Sequence, residues 1–140
     1  MSDDRAEIEV RVPADPVYIR VVRLAASGVA SLAGLDVEKI EDLKIAVDEM
    51  CSTLIEIGTG RPLHVRFAPP VDGSTTMRVD VEALVDPSAR RDEHRFELSR
   101  TILGAVADHH ELVMGENGNS RYSMSMRVEP RTDAIGPSGR

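Results

Sequence analysis

A two-layer α/β sandwich, with a mixed and mostly antiparallel sheet covered on one face by helices, is the fold this 140-residue sequence predicts. Three observations predict it. Four segments alternate apolar and polar residues with the period of a half-buried strand. Three longer segments repeat apolar residues every three or four positions, as amphipathic helices do. The two kinds of segment are interspersed in the order strand, helix, helix, two strands, helix, two strands, which suits helices packed on one side of a sheet.

The first strand is "EIEVRV", residues 7 to 12, with Ile8, Val10 and Val12 expected to face inward. "PADP" ends it. Asp15 is placed to cap a helix whose first position is Pro16, where a missing N–H does no harm. That helix is expected to reach about Ala33 and to bury Val21, Ala25, Val29 and Leu32. Gly34 suits the left-handed residue that closes a helix, with Leu35 folding back over it. Asp36 caps the second helix. Ile40, Leu43, Val47, Met50, Leu54 and Ile57 give it the strongest periodic stripe in the chain, and "GTGRP" ends it.

"LHVRF" (63 to 67) and "TMRVDVEAL" (76 to 84) read as a strand pair joined through "PPVDGS". Residues 86 to 94, charged and without period, read as a loop. Leu98, Ile102, Ala105 and Val106 predict a third helix ending near Asp108. "ELVMG" and "RYSMSMRV" form a final hairpin, with Asn117-Gly118 as its turn. The domain is expected to span 1–128, and residues 129–140 to be a disordered tail.

Composition narrows the function. The net charge of −7 and an aromatic content of 3% oppose a nucleic-acid surface, which needs a basic face and stacking rings. No apolar run approaches a membrane span, and the polar, acidic N-terminus lacks the pattern of a secretory signal. A cytoplasmic protein is expected. One cysteine, Cys51, allows no internal disulfide, and His64, His94, His109 and His110 have no zinc spacing, so no metal site is expected.

Two polar stripes lie beside the apolar ones. On the second helix, Ala46, Glu49, Thr53 and Glu56 form either a solvated flank or the wall of a pocket carrying a carboxylate base. On the first helix, Arg20, Arg23, Ser27 and Ser31 form either a solubilising face or an interaction surface, since arginine forks pair well with a partner's carboxylates.

"VPADPVYIRVVRLAASGVASLAG" followed by "IEDLKIAVDEMC" resembles the N-terminal half of the RsbW-type anti-sigma factors, which are serine kinases of the GHKL (Bergerat-fold) ATPase superfamily. The likeness covers about residues 7 to 128 and is strongest up to residue 57. It is closest to actinobacterial stress anti-sigma factors. It implies a Bergerat-like sandwich and a homodimer. It also implies a protein that withholds a general-stress or sporulation-type sigma factor from RNA polymerase until a STAS-type anti-anti-sigma protein releases it. Active members phosphorylate a serine of that antagonist.

By the same likeness, Glu49 stands where the family has its general base. Thr53 stands where the family has the asparagine that helps hold Mg²⁺. The aspartate-and-glycine box falls on "VEALVDP", which has no glycine. The Gly-Leu-Gly-Leu box falls on Glu97, Leu98, Ser99 and Arg100. Glycines in such loops let backbone N–H groups approach phosphates, and their loss removes that cradle. The resemblance therefore implies no required cofactor, with ATP and Mg²⁺ bound weakly if at all. It implies an anti-sigma factor with little kinase activity, the alternative being an active serine kinase. Arg23 matches a family arginine on the partner-binding face, with Arg20, Tyr18 and Asp48 as neighbouring candidates.

Overall fold

The computed structural model of the chain describes residues 7–71, 73–86, 93–115 and 117–128. Five strands form one sheet: β1 (Ile8–Val12), β2 (Leu63–Ala68), β3 (Thr76–Leu84), β4 (His109–Met114) and β5 (Asn119–Arg127). Three helices, α1 (Ile19–Leu32), α2 (Val37–Ile57) and α3 (Glu93–Val106), cover one face. The strand order is β1-β2-β3-β5-β4. Every neighbouring pair is antiparallel, so the expected admixture of parallel pairing is not found among the described strands. The expected tail, 129–140, and most of the expected loop lie outside the described residues.

Local chemistry sets the helix ends. Asp15 Oδ1 accepts from the Val17 N–H at 3.0 Å and starts a single 3-10 turn, Pro16–Tyr18, that leads into α1. Gly34, at φ 84°, closes α1, and the Leu35 N–H reaches back to the Ala30 carbonyl at 3.0 Å. Asp36 Oδ1 caps α2 through the Lys39 N–H at 2.8 Å. In the last hairpin Gly118 takes φ 94°, and Asn117 Oδ1 accepts from the Asn119 N–H.

The core lies between the helices and the sheet. Leu43, Val47, Met50 and Leu54 of α2 are fully buried against Val65, Phe67, Val79 and Val81, and Ile40 and Ile57 flank them half-buried. Elsewhere the faces differ from expectation. On α1 the buried side is Ile19, Val22, Ala26, Val29 and Ala30, whereas Val21 and Leu32 are exposed and Ala25 is half-buried. The helix carries two apolar stripes, and periodicity cannot tell which meets the sheet. On β1 only Val12 is buried, because the strand sits at the sheet edge.

On α3 the buried residues are Phe96, Ser99 and Leu103, not Leu98 or Ala105. The helix also begins earlier than its apolar pattern suggests. Its first turns are charged, and their inward face is polar for the reason given next.

Candidate functional site

The expected nucleotide face of α2 is an interface with α3. Ala46 and Thr53 are buried, and the Glu49 side chain is only 12% exposed, so the solvated-flank reading holds for Glu56 alone, at 54%. The reason is Arg95, in the first turn of α3. Its Nη1 donates to Glu49 Oε2 at 2.7 Å, and its Nε donates to Glu56 Oε1 at 3.0 Å. Burial pulls the Arg95 guanidinium down, but the bonds to Glu49 and Glu56 outweigh it and hold its pKa above the ordinary arginine value.

Below this clamp runs a chain of hydroxyls. Thr53 Oγ1 donates to Glu49 Oε2 at 3.0 Å, and Ser99 Oγ lies 3.3 Å from Thr53 Oγ1. Tyr122 Oη, from β5, lies 2.6 Å from Ser99 Oγ. Each hydroxyl has one proton. Since the Thr53 proton goes to the carboxylate, Ser99 must donate to Thr53 and Tyr122 must donate to Ser99. The chain therefore has one direction, from Tyr122 to the carboxylate, whose charge polarises every link. Burial raises the Tyr122 phenol above its usual range, partly offset by Ser99.

The remaining nucleotide boxes are equally occupied. Val81–Leu84 continue β3, and Val85 bridges Gly58, so the described part of "VEALVDP" is extended backbone; Pro87 lies outside the described residues. Glu97–Arg100 lie inside α3 rather than in a loop before it, because without glycine nothing interrupts the helix. A cavity of about 120 Å³ sits beyond the chain, lined by Ser99, Tyr122, Arg100 and His110. That is below the few hundred Å³ a drug-sized ligand occupies. Among the described residues no three His, Cys, Asp or Glu side chains gather to hold a metal ion. A magnesium nucleotide does not fit these residues: the carboxylate that would serve as base is clamped, and the threonine at the metal-holding position is sealed.

The partner-binding candidates divide. Arg23 and Asp48 come together across α1 and α2, with Nε 3.3 Å from Oδ1 and both side chains part-exposed. Among the described residues Oδ1 has no hydrogen-bond partner beside this ion pair, while Oδ2 accepts from Arg23 Nη1 at 3.5 Å. Burial raises the Asp48 pKa, against the pull of Arg23 and Lys44. Tyr18, at the end of the 3-10 turn, and Arg20, in the first turn of α1, are both exposed. Sequence reading missed Arg95, Ser99 and Tyr122. Arg95, Ser99 and Leu103 do follow a spacing of four, which marks one face of α3, but nothing local says that the face is inward.

Comparisons with known proteins agree with the fold. Residues 12–112 match the family described as the histidine kinase-like ATPase domain. The serine-protein kinase RsbW of Bacillus subtilis is 46% identical over 135 residues, covering 92% of this chain and 78% of that protein. RsbW of Bacillus pumilus is 51% identical over 49 residues, 35% of this chain and 30% of that one. Among solved structures, the RsbU and RsbW domains of a Mycobacterium tuberculosis protein superpose with a TM-score of 0.71 at 16% identity, covering 89% of this chain and 33% of that one. The SiaB–SiaC complex of Pseudomonas aeruginosa gives a TM-score of 0.58 at 12% identity, covering 86% and 89%. Those two likenesses concern the fold. With the family match and the RsbW identity, they lead to one assignment: the chain belongs to the histidine kinase-like ATPase domain family, among the RsbW-type proteins.

Proposed function

We propose that the chain is an anti-sigma factor that works by occlusion. It binds a sigma factor of the general-stress or sporulation type, keeps it from RNA polymerase, and yields it to a STAS-domain anti-anti-sigma protein. It acts in the cytoplasm as a homodimer. The observation that carries this reading is the Arg95 clamp on Glu49: the RsbW-type fold is retained while its catalytic carboxylate is engaged by the protein itself. No described helix is long and apolar enough to cross a membrane.

The test is co-purification with a cognate sigma factor, with and without ATP and Mg²⁺. A stable complex in both conditions is expected. Failure to retain the sigma factor in either overturns the proposal. Arg23→Glu sets a second carboxylate against Asp48 and should weaken the complex, whereas Asp48→Asn frees the guanidinium and should not. Equal affinity of Arg23→Glu and wild type in calorimetry counts against that face.

A second reading, an active serine kinase acting on the STAS protein, draws on Glu49 and on the relatives' name. Transfer of labelled phosphate to that protein would establish it. Its absence, beside an active RsbW as control, would remove it.

A further inference from the structure

We propose that the open face of the sheet, away from the helices, carries a binding site for a short zwitterionic peptide: a dipeptide with both termini free. The site is separate from the α2–α3 interface and does not depend on the anti-sigma function.

The helices pack on the face of the sheet that holds Val79, Val81, Tyr122 and Met124. On the other face the register sets side chains in rows across β3, β5 and β4. Arg78, Ser125 and His109 make one row, and Asp80, Ser123 and Glu111 make the next. The serines are short and their neighbours on both sides are long, so β5 forms the floor of a trough. A cavity of about 440 Å³ lies there, with Arg78, His109, Glu111, Ser123 and Ser125 in its lining. That volume falls in the range of small-ligand sites.

Elsewhere on this face the charges pair off. Glu9 meets His64, and Arg66 meets Glu82. Around the trough they do not. The side chains of His109, Glu111, Ser123 and Ser125 have no hydrogen bond or ion pair among the described residues. Ser123 is only 9% exposed, yet its hydroxyl lines the cavity without a partner. A hydroxyl that has lost most of its water needs a bond. Arg78 is bound to Asp80, but through Nε alone, at 3.0 and 3.3 Å, which leaves its terminal nitrogens free to donate to a ligand.

These groups dictate the occupant. Arg78 and His109 offer N–H donors at one end, and Glu111 offers a carboxylate at the other. Asp80 is already neutralised by Arg78. A simple anion would meet Glu111 and a simple cation would meet Arg78, so the occupant carries both signs. The two rows are two residues apart, about 7 Å along the strands. The charged termini of an extended dipeptide stand about 6 Å apart, since its Cα atoms lie about 3.8 Å from each other and each terminus one bond further out. Its carboxylate takes the Arg78 end and its ammonium the Glu111 end. The peptide group between them falls over Ser123 and Ser125, whose hydroxyls can each donate and accept.

The experiment is titration of the isotope-labelled full chain with L-alanyl-L-alanine, followed by amide chemical shifts. Saturable shifts are expected at residues 109–111 and 123–125, with Kd about 1 mM or tighter, while α2 stays unmoved. N-acetyl-alanylalanine and alanylalanine amide each lack one charge, and free alanine holds its charges too close together. Each should bind at least about tenfold more weakly. Glu111→Gln should weaken the dipeptide by about tenfold and remove its advantage over the acetylated form. Ser123→Val fills the floor with a strand-favouring residue and should block binding in a protein that circular dichroism shows to be folded.

An absence of saturable shifts at about 10 mM dipeptide overturns the site. Equal binding of the free and blocked dipeptides overturns the zwitterionic class. Shifts centred on α2 and α3, or indifference to both Glu111→Gln and Ser123→Val, overturn its placement on the open face.

Discussion

Replacing Arg95 with alanine tests the clamp on which the functional reading depends. The substitution removes the bonds to Glu49 and Glu56, which differ in worth. The arm to Glu56 meets a carboxylate that is more than half exposed, so it contributes about 0.2–1 kcal/mol, as surface pairs do. The arm to Glu49 is another matter. At 2.7 Å it joins two side chains that are 20% and 12% exposed. Without Arg95 the Glu49 carboxylate keeps the Thr53 hydroxyl and stays largely shielded from water. A charge-assisted bond contributes about 1.5–3 kcal/mol, and stranding one partner of a fully buried pair costs about 3–5 kcal/mol. This pair lies between those limits, so Arg95→Ala should destabilise by about 2–3 kcal/mol.

In urea unfolding, that loss lowers the midpoint by about 1–1.5 M with the slope unchanged. A double-mutant cycle of Arg95→Ala with Glu49→Gln isolates the pair and should show coupling above about 1 kcal/mol. The corresponding cycle with Glu56→Gln should give less than half of it. Coupling near zero at Glu49, or a larger value at Glu56 than at Glu49, would refute the claim that Arg95 holds the Glu49 carboxylate.

Two other outcomes follow from buried ionisable groups. Cys51 is fully buried, and burial lifts its thiol to about 12. It should resist a thiol reagent at pH 8 in the native protein and react only as the protein unfolds in urea; prompt stoichiometric labelling without denaturant would contradict the packing. Asp48 has a folded pKa raised by burial, so its ionisation opposes folding. Its favourable contribution is complete below the unfolded carboxylate pKa and is lost as pH rises through the folded one. Wild type should therefore lose stability relative to Asp48→Asn across that window on going up in pH, and a relative gain there would reverse the assignment.

What the sequence made legible depended on whether an element had one apolar stripe or two. Helix α2 has one, and Leu43, Val47, Met50 and Leu54 fall where periodicity puts them. Helix α1 has two, and of the expected stripe Val29 is buried while Val21 and Leu32 face away from the core. The last hairpin was legible through Asn117-Gly118, because that turn chemistry is local. The clamp was not. Thr53 and Ser99 are 46 residues apart, and Arg95 and Glu49 are equally distant, so each contact depends on how α3 settles on α2. Hydrophobic spacing also led away from it, since the inward face of α3 begins with an arginine and carries a serine. Glu49 and Thr53 share one face, as their spacing of four requires, and are hydrogen-bonded; what fills the space in front of them was not visible.

The contact between Thr53 and Ser99 bears on whether the departures from the family's pattern can be undone. The two residues fall where the resemblance sets an asparagine and a glycine, and here they touch. Restoring glycine at 99 alone would deprive Tyr122 of its hydroxyl acceptor and loosen the middle of a helix. Restoring asparagine at 53 alone would press a larger amide against a sealed serine. Each single step back passes through a less stable protein, although both together, with Arg95 removed, would reopen the space. The two side chains constrain one another, so neither position is free to change alone.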